Sequence, residues 1–113
     1  MAAISITPSD KRIRVLWRGK VVADSTHVLD LKEGGSITRY IPRADLDMTK
    51  FEKTTHHTRC PYKGEASYFT LHDTAARDEN AVWTYESPIN DAAAIKDHVA
   101  FYPNKVTIEV VQA

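Results

Sequence analysis

A chain of 113 residues is the size of one domain and can bury roughly two-thirds of the surface its unfolded form exposes. Its hydrophobic fraction of 42% and charged fraction of 27% exclude a disordered or fibrous chain. Fifteen Lys and Arg balance fifteen Asp and Glu, so there is no global positive field to draw the chain onto nucleic acid or an anionic membrane.

In chain order, Met1-Ala2-Ala3-Ile4-Ser5-Ile6 lacks the basic start and apolar run of a signal peptide. Ile13 to Trp17 and Lys20 to Ala23 read as strands joined by a turn at Arg18-Gly19, because Gly accepts the positive φ of a tight hairpin. His27 to Leu31 is a third strand, and Gly34-Gly35 breaks it before Ser36 to Tyr40. Pro42 ends that run, since proline cannot donate to a sheet ladder. Asp47 is placed to cap a short helix, with Leu46 and Phe51 spaced as a hydrophobic staple. Thr54 to Arg59 reads as a polar loop leading to Cys60-Pro61-Tyr62-Lys63-Gly64.

Ala66 to Leu71 and Ala81 to Glu86 are the next strands, with a charged turn from Asp73 to Asn80 between them. Asn90 to Lys96 is a second helical stretch, with Asn90 as its candidate cap. Val99 to Tyr102 and Val106 to Val111 close the chain as strands around Pro103-Asn104. About eight short strands without long crossover helices predict a mainly β, single-domain antiparallel barrel or sandwich over residues 1–113, with one or two short helices. No run is long and apolar enough for a membrane helix. The single Cys60 has no partner for an internal disulfide, which suits a reducing, cytoplasmic setting.

Three segments, in order and spanning nearly the whole chain, resemble one family. They are Arg14-Val15 through Gly19 to Val22-Ala23-Asp24-Ser25; Tyr40-Ile41-Pro42-Arg43 to Asp45, leading on to Cys60-Pro61-Tyr62-Lys63-Gly64-Glu65-Ala66-Ser67-Tyr68; and Ala81-Val82-Trp83-Thr84-Tyr85 through Pro88 and Ile95 to Ala100-Phe101-Tyr102. The chain resembles the domain of unknown function DUF427. The resemblance implies a β-rich, tent-like or barrel architecture of the Mss4-like type. Some labels of that family use the word nucleotidyltransferase, for which this chain carries no motif. Members often have His directly before the Cys-Pro pair. Here Arg59 stands there, so no role for an adjacent histidine carries over.

Several chemistries can be weighed residue by residue. Cys60 is a candidate nucleophile if Lys63, Arg59 or a histidine lowers its pKa, and otherwise a small packed hydrophobe. His56, His57 and Cys60 are close in sequence, with His27, His72 and His98 as further nitrogen donors, yet a structural zinc site wants four ligands in paired knuckles. In an extended segment His56 and His57 would also point to opposite faces. No metal site is therefore expected, and the sequence leaves any cofactor undetermined. Lys63-Gly64 lacks the spacing of a phosphate-binding loop, and no Gly-x-Ser-x-Gly elbow occurs.

The stronger signal is a face. Alternation puts Tyr68 on one side of its strand with Phe69 and Leu71 on the other, and Trp83 and Tyr85 together opposite Val82. If Phe69, Leu71 and Val82 enter the main core, then Tyr68, Trp83 and Tyr85 line a second surface that is aromatic and hydroxyl-bearing. Tyr40, Asp45, Cys60 and Lys63 would border it, with Lys63 as an anion clamp. The expected ligand-binding set is thus Tyr40, Asp45, Cys60, Lys63, Tyr68, Trp83 and Tyr85, for an anionic or planar small molecule. The catalytic candidates are Cys60 and Lys63, and the sequence does not decide whether there is a reaction. The same rings could instead fill the core of a small barrel. An alternative function is a protein-interaction module that uses an open edge at Val106 to Val111. No nucleic-acid or membrane partner is expected, and a homodimer would cover exposed edges.

Overall fold

The protein is described by a computed structural model over residues 4–111. The first three residues, part of the segment read for a signal peptide, lie outside the described residues. Ten strands follow in chain order: β1 (Ile4–Pro8), β2 (Arg12–Trp17), β3 (Lys20–Ser25), β4 (Leu29–Glu33), β5 (Ser36–Pro42), β6 (Phe51–Cys60), β7 (Gly64–His72), β8 (Arg77–Thr84), β9 (His98–Phe101) and β10 (Thr107–Val111). Arg18 and Gly19 turn the chain at φ 51° and 81°, the positive values that a two-residue hairpin demands, and so bring β2 against β3. β10 adds to the other side of β2, making a three-stranded sheet in the order β10-β2-β3. The remaining strands form a second antiparallel sheet in the order β1-β4-β5-β9-β8-β7-β6.

The two sheets pack as a sandwich and do not close into a barrel. Between them lie Ile13, Val15 and Trp17 of β2, Val22 of β3, Ile41, Phe69, Leu71, Val82 and Val99. Phe51 meets Phe69 and Phe101 edge-on, with ring centroids 6.1 and 6.0 Å apart. The opposite face of the seven-stranded sheet is buried as well. There Leu31, Tyr40, Ala66, Tyr68, Tyr85 and Ala100 pack with Ala92 and Ile95 of a 3-10 helix, Asn90–Ile95. This double cover explains why β7 is buried almost without interruption, as strands covered on both faces are.

The sequence misleads at particular places. Thr54 to Arg59 is not a loop but most of β6, a ten-residue edge strand whose outward positions are polar. Its register against β7 slips between Lys53 and His57, so four steps on β6 oppose two on β7. β1, unexpected from composition, pairs with β4. Asp47 does cap, accepting from the Thr49 amide at 3.2 Å, but the helix is one 3-10 turn, Met48–Lys50, and Phe51 already begins β6. Asn90 does not cap the later helix: Ile89 holds that position with no side-chain bond, and Asn90 sits at φ 52°. Asp24 is gripped by Arg12 with two bonds of 2.8 and 2.7 Å, while Arg14 Nε stands farther off at 3.7 Å. No helix among the described residues is long and apolar enough to cross a membrane.

Candidate functional site

The seven-stranded sheet aligns side chains from five neighbouring strands on one face. Trp83 of β8 pairs with Tyr68 of β7 on one side and with Ala100 of β9 on the other. Because Ala100 is small and buried, the Trp83 indole reaches over it, and its Nε1 donates to the Tyr40 hydroxyl on β5 at 3.1 Å. On the far side, the Tyr68 hydroxyl lies 2.8 Å from Thr58 Oγ1, and the His56 ring covers the Tyr68 ring at a centroid distance of 4.5 Å. Tyr102, just past β9, packs on Trp83 at 4.7 Å with the planes inclined by 54°. A band of rings thus runs from His56 through Tyr68, Trp83 and Tyr102 to Tyr40. Tyr40, Tyr68 and Tyr85 are buried, Trp83 is half-buried, and Tyr102 is 39% exposed at the rim.

The turn between β6 and β7 closes one end of this face. Lys63 N donates to Cys60 O at 3.3 Å, and Lys63 O accepts from Ile89 N at 3.1 Å. Gly64 takes φ 110° at the point where a Cβ would stand 3.3 Å from Ser87 O, so only glycine lets the turn lie this close to the segment after β8. The clamped turn directs Lys63 inward. Its side chain is only 12% exposed, and Nζ donates to Glu33 Oε1 of β4 at 2.9 Å. Cys60 is half-buried against the same apolar cluster as Tyr40 and Tyr85.

The electrostatics follow from burial and proximity. Burial alone would lower the Lys63 ammonium, but the Glu33 carboxylate overrides it and the net displacement is upward. Burial raises the Tyr40 phenol against the opposing effects of the Trp83 bond and the Lys63 charge. Tyr85 is raised strongly, first by burial and then by Tyr40 and Cys60. The adjacent Tyr68 hydroxyl, followed by burial, pushes Tyr102 up to about 12. At neutral pH these phenols keep their protons, so the face offers neutral hydrogen-bond donors and acceptors among rings in tilted contact.

The structure brings Tyr40, Cys60, Lys63, Tyr68, Trp83 and Tyr85 together. Asp45 stands apart: it accepts from Ser25 Oγ at 2.5 Å and lies in a shallow depression with Val21, Ala23 and Leu46. His56 and His57 diverge, His56 onto Tyr68 and His57 to within 3.4 Å of Ser67 Oγ. Among the described residues, no group of three or more His, Cys, Asp or Glu is placed to hold a metal ion. Sequence reasoning missed Glu33, Thr58 and Tyr102 as neighbours of this face. Tyr102 could have been found, since it follows Ala100 by two residues. Glu33 carries no local signal, because only the β4–β5 pairing brings it near the turn.

A family model described as a domain of unknown function (DUF427) matches residues 5–112. The chain belongs to the DUF427 family. That match takes in both sheets and every residue of the aromatic band, so the face described above lies inside the DUF427 domain. No curated protein matches the chain.

Proposed function

We propose that this DUF427 domain binds a small planar ligand at Trp83 and Tyr102, on the accessible rim of the face whose buried part is built by Tyr40, Tyr68 and Tyr85, with Cys60 and Lys63 at one end. The observation that carries the reading is the Trp83–Tyr102 pair, a half-buried indole in tilted contact with an exposed phenol and hydrogen-bonded to the buried Tyr40 phenol. Such rings give a planar ligand stacking area, and their polar tips give it orientation. No reaction is assigned to Cys60, which contributes a polarisable wall. Its lack of a cysteine partner accords with a reducing, cytoplasmic setting.

Tryptophan fluorescence suits the test, because Trp17 is fully buried in the other core and Trp83 is half-buried on this face. A thermal-shift and fluorescence screen would use nucleosides, aromatic acids and aromatic amides on wild type, Trp83→Leu and Tyr102→Ala. At a hundredfold excess over Kd, a ligand stabilises by about 2.7 kcal/mol. A hit that disappears in both variants is the expected result. Hits that survive in both would move the binding site elsewhere.

A second reading rests on β10, which pairs with β2 and borders the three-stranded sheet, leaving Val110 38% exposed. An added strand from a peptide or a second copy could extend that sheet. Sedimentation of wild type and a Val110→Lys variant tests the homodimeric form: the reading expects a dimer that the lysine dissociates, and a monomeric wild type counts against it.

A further inference from the structure

We infer that Glu33 makes this face select uncharged planar ligands bearing a hydrogen-bond-accepting oxygen and reject anions, an inference that rests on the binding face proposed above. A lysine beside aromatic rings would ordinarily be read as an anion clamp. Here the ammonium of Lys63 is already engaged by Glu33 Oε1 at 2.9 Å, with the two side chains 12% and 28% exposed. The pair sums to zero charge. The ammonium has two further N–H donors, but an anionic ligand that took one would stand beside the Glu33 carboxylate, like charge against like charge in a partly buried site. A ligand without charge meets no such conflict.

What the face leaves unspent is donors. Tyr40 Oη accepts from the Trp83 indole, and that bond fixes the oxygen while its own proton has no acceptor among the described residues. The Tyr85 hydroxyl makes no hydrogen bond among the described residues, although its side chain is nine-tenths buried. The Tyr85 oxygen is not one of the fully enclosed unpaired atoms, so a ligand oxygen can take its proton in place of water. Tyr40, Tyr85 and Cys60 belong to one cluster, and the Tyr85 phenol is raised chiefly by burial and in smaller part by Tyr40, Cys60 and Glu33. A carbonyl oxygen on a ring stacked along Trp83 can accept such a proton without disturbing Lys63.

Nicotinamide and nicotinate make a matched pair of probes, with the same ring and either a neutral amide or a carboxylate. Their binding is followed through the Trp83 indole N–H resonance, assigned with Trp83→Phe. Wild type is expected to prefer nicotinamide by about tenfold, equivalent to about 1.4 kcal/mol. Glu33→Gln frees the Lys63 charge and is expected to abolish or reverse that preference, mainly by tightening nicotinate. Glu33→Asp, which withdraws the carboxylate by one methylene, is expected to narrow it and serves where Glu33→Gln does not fold. Equal or tighter nicotinate binding to wild type overturns the selectivity while leaving the binding face standing, and so does an unchanged ratio in whichever variant folds. If neither these probes nor any aromatic compound in the screen moves Trp83, the binding face itself fails, and the selectivity with it.

Discussion

Nε1 of Trp83 donates to the Tyr40 hydroxyl at 3.1 Å, joining β8 to β5 across the intervening strand β9. Ile41 pairs with Val99, so the register carried one residue further sets Tyr40 opposite Ala100, which also faces Trp83. The bond therefore exists because a methyl group, not a larger side chain, occupies the middle strand. Tyr40→Phe removes the acceptor and should cost about 1 kcal/mol, the usual net worth of such a bond. Urea unfolding gives the magnitude, and a shift of the Trp83 indole N–H resonance locates it.

Ala100→Leu tests the same relationship by volume. Ala100 is fully buried between two aromatic side chains, so added methylenes must force them apart. Overpacking of this kind typically costs about 1–3 kcal/mol. A loss in the urea midpoint, together with a more exposed Trp83 emission, is the expected outcome. A near-neutral effect would show that the face has room there.

Gly64 and Gly35 form a controlled comparison. Gly64 stands at φ 110° with Ser87 O 3.3 Å from where a Cβ would be, whereas a Cβ at Gly35 would meet nothing within 4 Å. Gly64→Ala should destabilise by more than about 1 kcal/mol, since alanine is incompatible with that backbone. Gly35→Ala should be near neutral. Equal effects in denaturation experiments would contradict the clamped-turn geometry.

Trp17 Nε1 donates to Asp78 Oδ2 at 2.7 Å, with the indole wholly buried between the sheets. Asp78→Ala leaves that donor without a partner and should cost about 1–3 kcal/mol. Asp78→Asn, which keeps an acceptor oxygen, should recover part of the loss. Thermal unfolding of the two variants side by side measures both.

Asp73 provides a pH signature. Its carboxylate is lowered to about 2 by Lys20, with further help from the Ala75 and Ala76 amides. A depressed carboxylate contributes stability that is present above its unfolded value near 3.8 and lost as pH falls toward 2. Comparing wild type with Asp73→Asn from pH 5 down to about pH 2, the stability difference should shrink steadily. A difference constant across that window would mean that the carboxylate is not depressed.

Much of this protein was legible because local chemistry repeats. The Arg18-Gly19 turn, the stop at Pro42 and the Asp47 cap are properties of adjacent residues, and they occur where the sequence puts them. Alternation along β7 and β8 also separated Phe69, Leu71 and Val82 from Tyr68 and Trp83, because a strand's two faces are fixed by its period of two. By contrast, the polar run Thr54 to Arg59 reads as a loop. On an edge strand with a bulge, those side chains face water and are not selected for alternation.

The sequence by itself determined a mainly β antiparallel domain, its main turns, and which aromatic residues share a face, because these depend on backbone sterics and on neighbours one or two residues apart. Only the tertiary structure decided that β9 inserts between β8 and β5, that Tyr40 meets Trp83, that Glu33 neutralises Lys63 and that Asp45 stands away with Ser25. The three side-chain relationships join residues 20 or more positions apart, and all four are chosen by the packing of two sheets around shared cores rather than by any local preference of the chain.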